Sequence, residues 1–161
     1  NWKGMEDSGV RRIKREIRID VRSIAFVTPE LLDSISVRPH VARWLAEKSE
    51  EIEEMKKTGT TSLTNLGAFR AYMVEYLRNH PHIDTMMPVM VRDMPPTESG
   101  MPVEIYCFSK INSWVPFEDV QSSVVDYAYA VAGQFGLKLF QSPSGTDLEA
   151  LRSVTNQNHK I

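Results

Sequence analysis

A hydrophobic pattern that changes its period along the chain constrains this fold more than any other feature. From Ile13 to Val21, β-branched residues alternate with charged ones, and this period of two predicts a half-buried strand. From Leu66 to Leu77, apolar residues instead recur at the spacing of one helical face, which predicts a helix capped by Thr64 or Asn65 and stopped by Pro81. A chain that carries both periods is predicted to mix helices and strands.

Caps and prolines predict the remaining helices. Residues Thr28-Pro29-Glu30 supply an N-cap, a proline at the first helical position and an early acid, so a short helix is predicted to start there. A second, acidic helix is predicted to run unbroken from Pro39 to Lys57. Pro116 is predicted to open a long helix that ends at Gly136, because glycine is favoured just past a helix C-terminus.

Three more strands complete the element order. They are predicted at Met86–Met94, Val103–Ile111 and Leu137–Phe140, and a polar, turn-forming connector joins the first two. The order strand, helices, strand, strand, helix, strand predicts an α+β fold of the ferredoxin-like, split β-α-β type, with a first crossover enlarged by the acidic helix.

The same pattern divides the chain into three parts. Residues 1–12 are predicted to be the end of a preceding β domain or a linker, residues 13–141 the ferredoxin-like domain, and residues 142–161 a polar C-terminal tail. Thr146 and Glu149 form a candidate capping box in that tail. The chain opens at Asn1 rather than at methionine, so we expect it to be a piece of a longer protein.

Composition excludes several functional classes. Nineteen basic and 21 acidic side chains give a net charge of -2, which provides no overall attraction to nucleic acid or to anionic lipid. The single cysteine, Cys107, cannot form an intrachain disulfide and favours a reducing compartment. No apolar run reaches the roughly 18 residues that a membrane span requires.

The candidate catalytic and metal sites are weak. His80, His82 and Asp84 supply too few ligands for a closed metal site, so solvated histidines at a helix end are the better interpretation. Cys107 has no positive neighbour in sequence that would activate a thiolate, and it is interpreted as a buried structural residue. The sequence therefore predicts no enzyme activity, no cofactor and no metal.

Two features on the strands invite a functional interpretation. Tyr106 and Phe108 would share one face of a central strand, where RNA-recognition motifs place stacking aromatics. The surrounding segment lacks the basic, glycine-containing pattern of that motif, so packing under the helices is favoured. The second feature is a cluster of five cations on the first strand, interpreted either as a solvated face or as a positive patch at a subunit seam or along a solute path: Arg11, Arg12, Lys14, Arg15 and Arg18.

Short segments spread over nearly the whole chain carry a resemblance to one known family. The most specific is the run T-N-L-G-x-F-R-x-Y at Thr64–Tyr72. The others, in the same order as the predicted elements, are Asn1–Met5, Ser8–Arg15, Tyr76–Leu77, Asn79–Pro81, Met90–Arg92, Glu104–Tyr106, Asn112–Val115, Phe135–Leu137 and Phe140–Pro143. Together these segments resemble the cytoplasmic C-terminal domain of the small-conductance mechanosensitive ion channel superfamily, in its miniconductance branch.

The resemblance implies a homo-oligomeric, heptameric channel of the bacterial inner membrane that opens under tension after hypo-osmotic shock. This chain would be a soluble vestibule domain on the cytoplasmic side, its partners would be identical subunits and permeating ions and small solutes, and upstream helices would contact the membrane. The isolated chain is expected to associate weakly, and no nucleic acid is expected to bind. The matching motif positions, interpreted as structural, are Trp2, Gly9, Asn65, Gly67, Phe69, Arg70, Tyr72, Tyr76, Pro81, Arg92 and Trp114.

One alternative stays open. The chain could be a stand-alone ferredoxin-like module that senses a ligand or binds RNA. An upstream reading frame with several apolar segments of about twenty residues would favour the channel, because that is the length that spans a bilayer core.

Overall fold

Three strands form one antiparallel sheet in the computed structural model, which describes residues 9–158. The strands are β1 (Arg11–Ile19), β2 (Met90–Asp93) and β3 (Met101–Ser109). The sheet order is β1-β3-β2, so β3 is the central strand as predicted. Together with the helices this confirms the α+β class.

The helices of the described residues account for most of the chain between the strands. Two short 3-10 turns, Val21–Ser23 and Gly133–Phe135, accompany them. The α-helices are α1 (Pro29–Ser36), α2 (Ala42–Glu47), α3 (Ser49–Thr58), α4 (Asn65–Arg78), α5 (Trp114–Ala132) and α6 (Gly145–Asn158). None of them combines the length and the hydropathy that a membrane crossing requires.

The helices cover one face of the sheet, and the core lies between. α5 contacts β1 and α4 contacts β2. Alternate residues of the strands, including Ile13, Ile17, Ile105 and Cys107, point into this layer and are at most 1% exposed. Period-two alternation in the strands and a helical stripe on α4 therefore bury their apolar sides against each other, which is the arrangement the sequence pattern predicted.

The prediction of one unbroken acidic helix is wrong, because this segment forms two helices, α2 and α3. Lys48 separates the two with φ −104° and ψ 18°, outside the helical region. No glycine or proline lies between Ala42 and Thr58 to mark a bend in the sequence. Packing sets the bend instead, since Trp44 on one side of it and Ile52 on the other both join the core.

The predicted last strand, Leu137–Phe140, is reduced to a single bridge between Leu139 and Ile19 at the end of β1. Two backbone hydrogen bonds flank it: the Asp20 amide donates to the Lys138 carbonyl at 2.8 Å, and the Phe140 amide donates to the Arg18 carbonyl at 2.9 Å. Beyond this bridge, β1 has no strand partner on its outer edge among residues 9–158.

Gly100, at the end of the β2–β3 turn, lies in close contact with the end of β1 and with the residue after the Leu139 bridge. Its φ is 87°, and a Cβ added there would lie 2.8 Å from both the Ile19 carbonyl oxygen and the Phe140 Cβ. Only glycine satisfies both requirements, so the turn and the Leu139 bridge depend on it. The flanking strands also differ from their predicted bounds: β2 begins at Met90 because Pro88 cannot donate a backbone hydrogen bond, and β3 begins directly after Gly100.

The C-terminal residues form α6, where the sequence predicted a loose polar tail. Ser144 and Asp147 cap it reciprocally, since each backbone amide donates to the other side chain at 2.9 and 3.2 Å. The predicted box of Thr146 and Glu149 is therefore wrong by two residues. Leu148 and Leu151 on this helix are more than half exposed.

Candidate functional site: the basic strand and the motif helix

The regular pairing of β1 with β3 divides the five predicted cations between two sides of the sheet. Arg12, Lys14 and Arg18 lie on the open face, the side of the sheet that no helix of residues 9–158 covers. Arg11 and Arg15 share the side of Ile13, and Arg15 is exposed. The strand begins at Arg11, two residues before its predicted start at Ile13.

Two of these cations lie against aromatic rings. The Arg11 guanidinium is 4.3 Å from the centre of the Phe117 ring at the start of α5. The Arg12 guanidinium is 6.0 Å from the centre of the Tyr106 ring on β3. Such contacts attract a cation to the negative face of the ring and fix the position of a long side chain.

A third cation is already paired. The Arg18 guanidinium donates to the Glu16 carboxylate at 2.9 Å and lies 3.4 Å from the Thr97 hydroxyl. Lys14 and Arg15, by contrast, take part in no ion pair within residues 9–158, and both are exposed. Together with Arg11 and Arg12, which contact aromatic rings rather than acids, these two carry the unbalanced positive charge of the strand.

The open face also holds a buried acid that sequence reasoning missed. Glu104 is 5% exposed on β3 and lies directly opposite Glu16 of β1. Like charges that face each other across strands are destabilising, but each of these carboxylates has its own arginine. Arg92 of β2 donates from Nε to a Glu104 carboxylate oxygen at 3.0 Å, and its Nη2 lies 3.0 Å from the same oxygen. The register of β2 and β3 places Arg92 directly opposite Glu104, and the sequence pattern alone does not give that register.

Tyr106 and Phe108 correct a prediction, since they do not pack under the helices. They pair with Lys14 and Arg12 of β1 and therefore point to the open face. Their rings meet edge to face at 5.6 Å. Phe108 is only 3% exposed, so of the two rings only that of Tyr106 is partly accessible.

The motif run at the start of α4 is built around a helix cap. The Thr64 hydroxyl accepts from the Gly67 amide at 3.0 Å, which confirms Thr64 as the N-cap. Asn65 is 3% exposed, and its side chain accepts from the Ala25 amide and donates to the Ser23 carbonyl. Asn65 therefore ties the start of α4 to the segment that leaves β1.

The other motif side chains of α4 each contact a different neighbour. Phe69 is 1% exposed and meets Phe135 edge to face at 5.9 Å. Arg70 forms an ion pair of 2.7 Å with Asp93 at the end of β2. Tyr72 is buried, and its hydroxyl is hydrogen-bonded to that of Tyr127 on α5. Burial is the main cause that raises the pKa of Tyr72.

A second cluster that the sequence did not reveal lies between α4 and α5. Tyr76 stacks on Tyr127 with ring centres 3.8 Å apart, and His40 and His80 lie edge-on to Tyr76 at 6.1 and 5.7 Å. His40 has a φ of 69°, uncommon for a residue other than glycine. Burial, and to a lesser extent His82, lowers the pKa of His80.

The remaining motif positions are spread over the surface rather than gathered in one site. Gly9 adopts a φ of 76° just before β1, Pro81 is exposed after α4, and Trp114 begins α5 with 72% of its surface exposed. Trp2 lies outside the described residues.

The structure gives no cluster of three or more His, Cys, Asp or Glu side chains able to hold a metal within the part of the chain that it describes. Burial raises the pKa of the Cys107 thiol to about 12, so the thiolate that a nucleophile needs is disfavoured at neutral pH. A comparison with protein-family models finds none that matches this chain.

Proposed function

We propose that this chain is the cytoplasmic α/β portion of a membrane-tension-gated channel, where it forms part of the wall of a solute vestibule. The channel would release ions and small solutes on hypo-osmotic shock, as a ring of identical subunits, seven by the resemblance, in a bacterial inner membrane. The observation that carries the proposal is the motif run Thr64–Tyr72, which stands in register with the other resembling segments along the chain.

The contacts of that run support a wall-forming role. Asn65 fastens α4 to the exit of β1, Arg70 to β2, and Tyr72 to α5. Residues that connect one helix to every neighbouring element stiffen a domain, and a vestibule wall must keep its shape while the membrane part moves.

The finer architecture we propose is ferredoxin-like. It is supported by the sheet order β1-β3-β2, by α4 and α5 on the same face of the sheet, and by Leu139 beside Ile19. That last position is the one a fourth strand occupies in a ferredoxin-like sheet, next to the first strand.

The basic strand would bias which solutes reach the pore. Lys14 and Arg15 are exposed and unbalanced by any acid of the described residues, so they raise the local concentration of anions. The effect extends about one Debye length, roughly 8 Å at physiological salt, and weakens as ionic strength rises.

Patch recordings on the full-length protein that contains this chain test the proposal itself. Membrane patches that hold the protein should pass current when suction stretches them, and patches from cells without it should not. Cells that lack other tension-gated channels should survive hypo-osmotic shock better when they express it. A protein that reaches the membrane and passes no tension-activated current would contradict the channel.

The proposed effect of the basic strand on anion permeability is tested by a separate double variant. Lys14→Gln with Arg15→Gln should shift the reversal potential toward lower anion permeability in asymmetric, dilute salt, with an unchanged tension threshold. Arg18, which also lies on the open face, is a weaker choice because Glu16 already balances it. Lys56→Gln with Lys57→Gln removes equal charge from the exposed end of α3 and is the matched control.

RNA binding remains the second candidate because Tyr106 lies partly accessible on the open face beside Arg12. Stacking on such a ring is worth about 1–3 kcal/mol per base. Fluorescence anisotropy with a labelled single-stranded RNA should detect no binding if the channel proposal is right. Binding that Tyr106→Ala abolishes would favour the RNA-binding module instead.

A further inference from the structure

Two surfaces of opposite charge lie on the described part of the chain, and both carry side chains that are outside the ion pairs of the described residues. The basic edge consists of Arg11, Arg12, Lys14, Arg15 and Arg18 on β1. The acidic face consists of Glu47 at the end of α2 and Glu50, Glu51, Glu53 and Glu54 on α3.

The acidic face is turned away from the core by the residues that alternate with it. Ile52 and Met55 of α3 are buried in the core, so the glutamates beside them point outward. Glu53 pairs with Lys56 at 3.4 Å, and Lys56 and Lys57 lie in the last turn, so the negative charge is concentrated in the first two turns.

The two surfaces lie beside different helices of the layer that covers the sheet. Tyr76 of α4 stacks on Tyr127 of α5, and α5 lies over β1. Val74, two residues earlier and therefore about 200° around the helix, lines a groove together with Trp44 of α2. The α2 helix therefore packs along the side of α4 that carries Val74, and an ion pair of 3.3 Å between Arg43 and Glu75 holds it there.

We propose that neighbouring copies of this chain associate head to tail, with the basic edge of one copy against the acidic face of the next. The inference rests on the proposed function, because it assigns the surfaces through which the identical subunits of that channel meet. The occupant of the unpaired outer edge of β1 is thus the α2–α3 segment of a second copy.

Charge complementarity selects this arrangement over a symmetric one. Two basic edges facing each other, or two acidic faces, would oppose like charges, which costs binding free energy and slows encounter. A contact between two different patches of a subunit is heterologous, and heterologous contacts close into rings when the rotation allows it. The contact is held mainly by exposed charges, so it is weak for the isolated chain and sensitive to salt.

Charge reversal on each surface tests the pairing. The β1 variant carries Lys14→Glu and Arg15→Glu, and the α3 variant carries Glu50→Lys and Glu54→Lys. These four side chains are outside the ion pairs of the described residues. Sedimentation should show that the wild-type chain associates at low salt and dissociates at high salt, since the Debye length falls from about 30 Å at 0.01 M to about 3 Å at 1 M.

Each variant alone should associate at least about tenfold more weakly than the wild type, because the five charged residues of its altered surface then sum to a single net charge instead of five. An equimolar mixture of the two variants should recover association, because the unaltered acidic face of the β1 variant can then meet the unaltered basic edge of the α3 variant. Asp33→Lys with Asp126→Lys, on exposed residues outside both surfaces, makes the same change in net charge as the α3 variant and should leave association unchanged.

Three results would overturn the inference: no salt-dependent association of the wild-type chain, unchanged association of either variant, or no recovery in the mixture. None of these measurements uses a channel readout. If the association experiments fail, the patch recordings still decide whether the protein passes a tension-activated current. If the patch recordings fail, the association result still stands.

Discussion

The two faces of the sheet differ in how they are stabilised. The covered face is mainly apolar, and Ile13 and Ile105 on it are at most 1% exposed. The open face carries two arginine–glutamate pairs, Arg18 with Glu16 and Arg92 with the buried Glu104. Stability therefore depends on packing on one face and on charge pairing on the other, so substitutions should separate the two contributions.

The largest loss of stability is expected for a substitution in the core between the covered face and its helices. Phe69→Ala removes an aromatic side chain that is 1% exposed and packed against Phe135, which should cost about 3–5 kcal/mol of unfolding free energy. Urea denaturation measures it. Glu50→Ala, on an exposed position of α3, is the control and should change the free energy by less than about 0.5 kcal/mol. A lower denaturation midpoint for Glu50→Ala than for Phe69→Ala would refute the assignment of the covered face.

A smaller loss is expected on the open face. Arg92→Met leaves the Glu104 carboxylate nearly buried without its cation, which should cost about 1–3 kcal/mol. Adding Glu104→Gln to that variant should recover part of the loss, because the stranded charge is removed. A double-mutant cycle by urea denaturation measures the coupling, and strictly additive single effects would show that the pair contributes nothing.

A still smaller loss of stability is expected when a hydrogen bond between the two helices that cover the sheet is removed. Tyr127→Phe removes the hydroxyl that bonds to Tyr72 and keeps the ring stacked on Tyr76. We expect a loss of about 0.5–1.5 kcal/mol, the usual net value of one hydrogen bond. Thermal unfolding of this variant beside Tyr129→Phe, an exposed tyrosine of the same helix, provides the comparison. Equal stability of both variants would mean that the Tyr72–Tyr127 bond has no net value.

The smallest expected effect is a pH dependence of the unfolding free energy that comes from His80, at the end of α4. Burial lowers the pKa of His80, so below the ordinary histidine pKa of about 6.5 the unfolded chain binds more protons than the folded one. Stability should then fall as the pH drops through about 6.5. His80→Gln should reduce the slope of unfolding free energy against pH between about pH 7.5 and pH 5.5. An unchanged slope in this variant would assign the pH dependence to other groups.

Local signals predicted the elements that local contacts determine. Thr28 and Thr64 cap the helices that the sequence assigned to them, and Gly136 adopts a φ of 73° at the end of the long helix region. The sides of the strands also followed from alternation, since Ile13 and Ile17 are buried and Lys14 is exposed. These features depend on residues a few positions apart, so the sequence contains the whole signal.

Features that depend on distant neighbours could not be predicted in this way. The bend at Lys48, the reduction of the last strand to Leu139 and the position of Tyr106 on the open face each depend on what packs nearby. Alternation assigns Tyr106 and Cys107 to opposite sides of the strand, yet it does not say which side the helices cover.

The basic strand shows the same division. The sequence by itself determined that five cations lie within eight residues of one strand, and that Lys14 and Arg18 share a side. Only the tertiary structure decided that Arg18 is balanced by Glu16 and that Arg12 lies near Tyr106. The physical reason is that alternation fixes the direction of a side chain, whereas its partner depends on strand order and register, which bring together residues far apart in the chain.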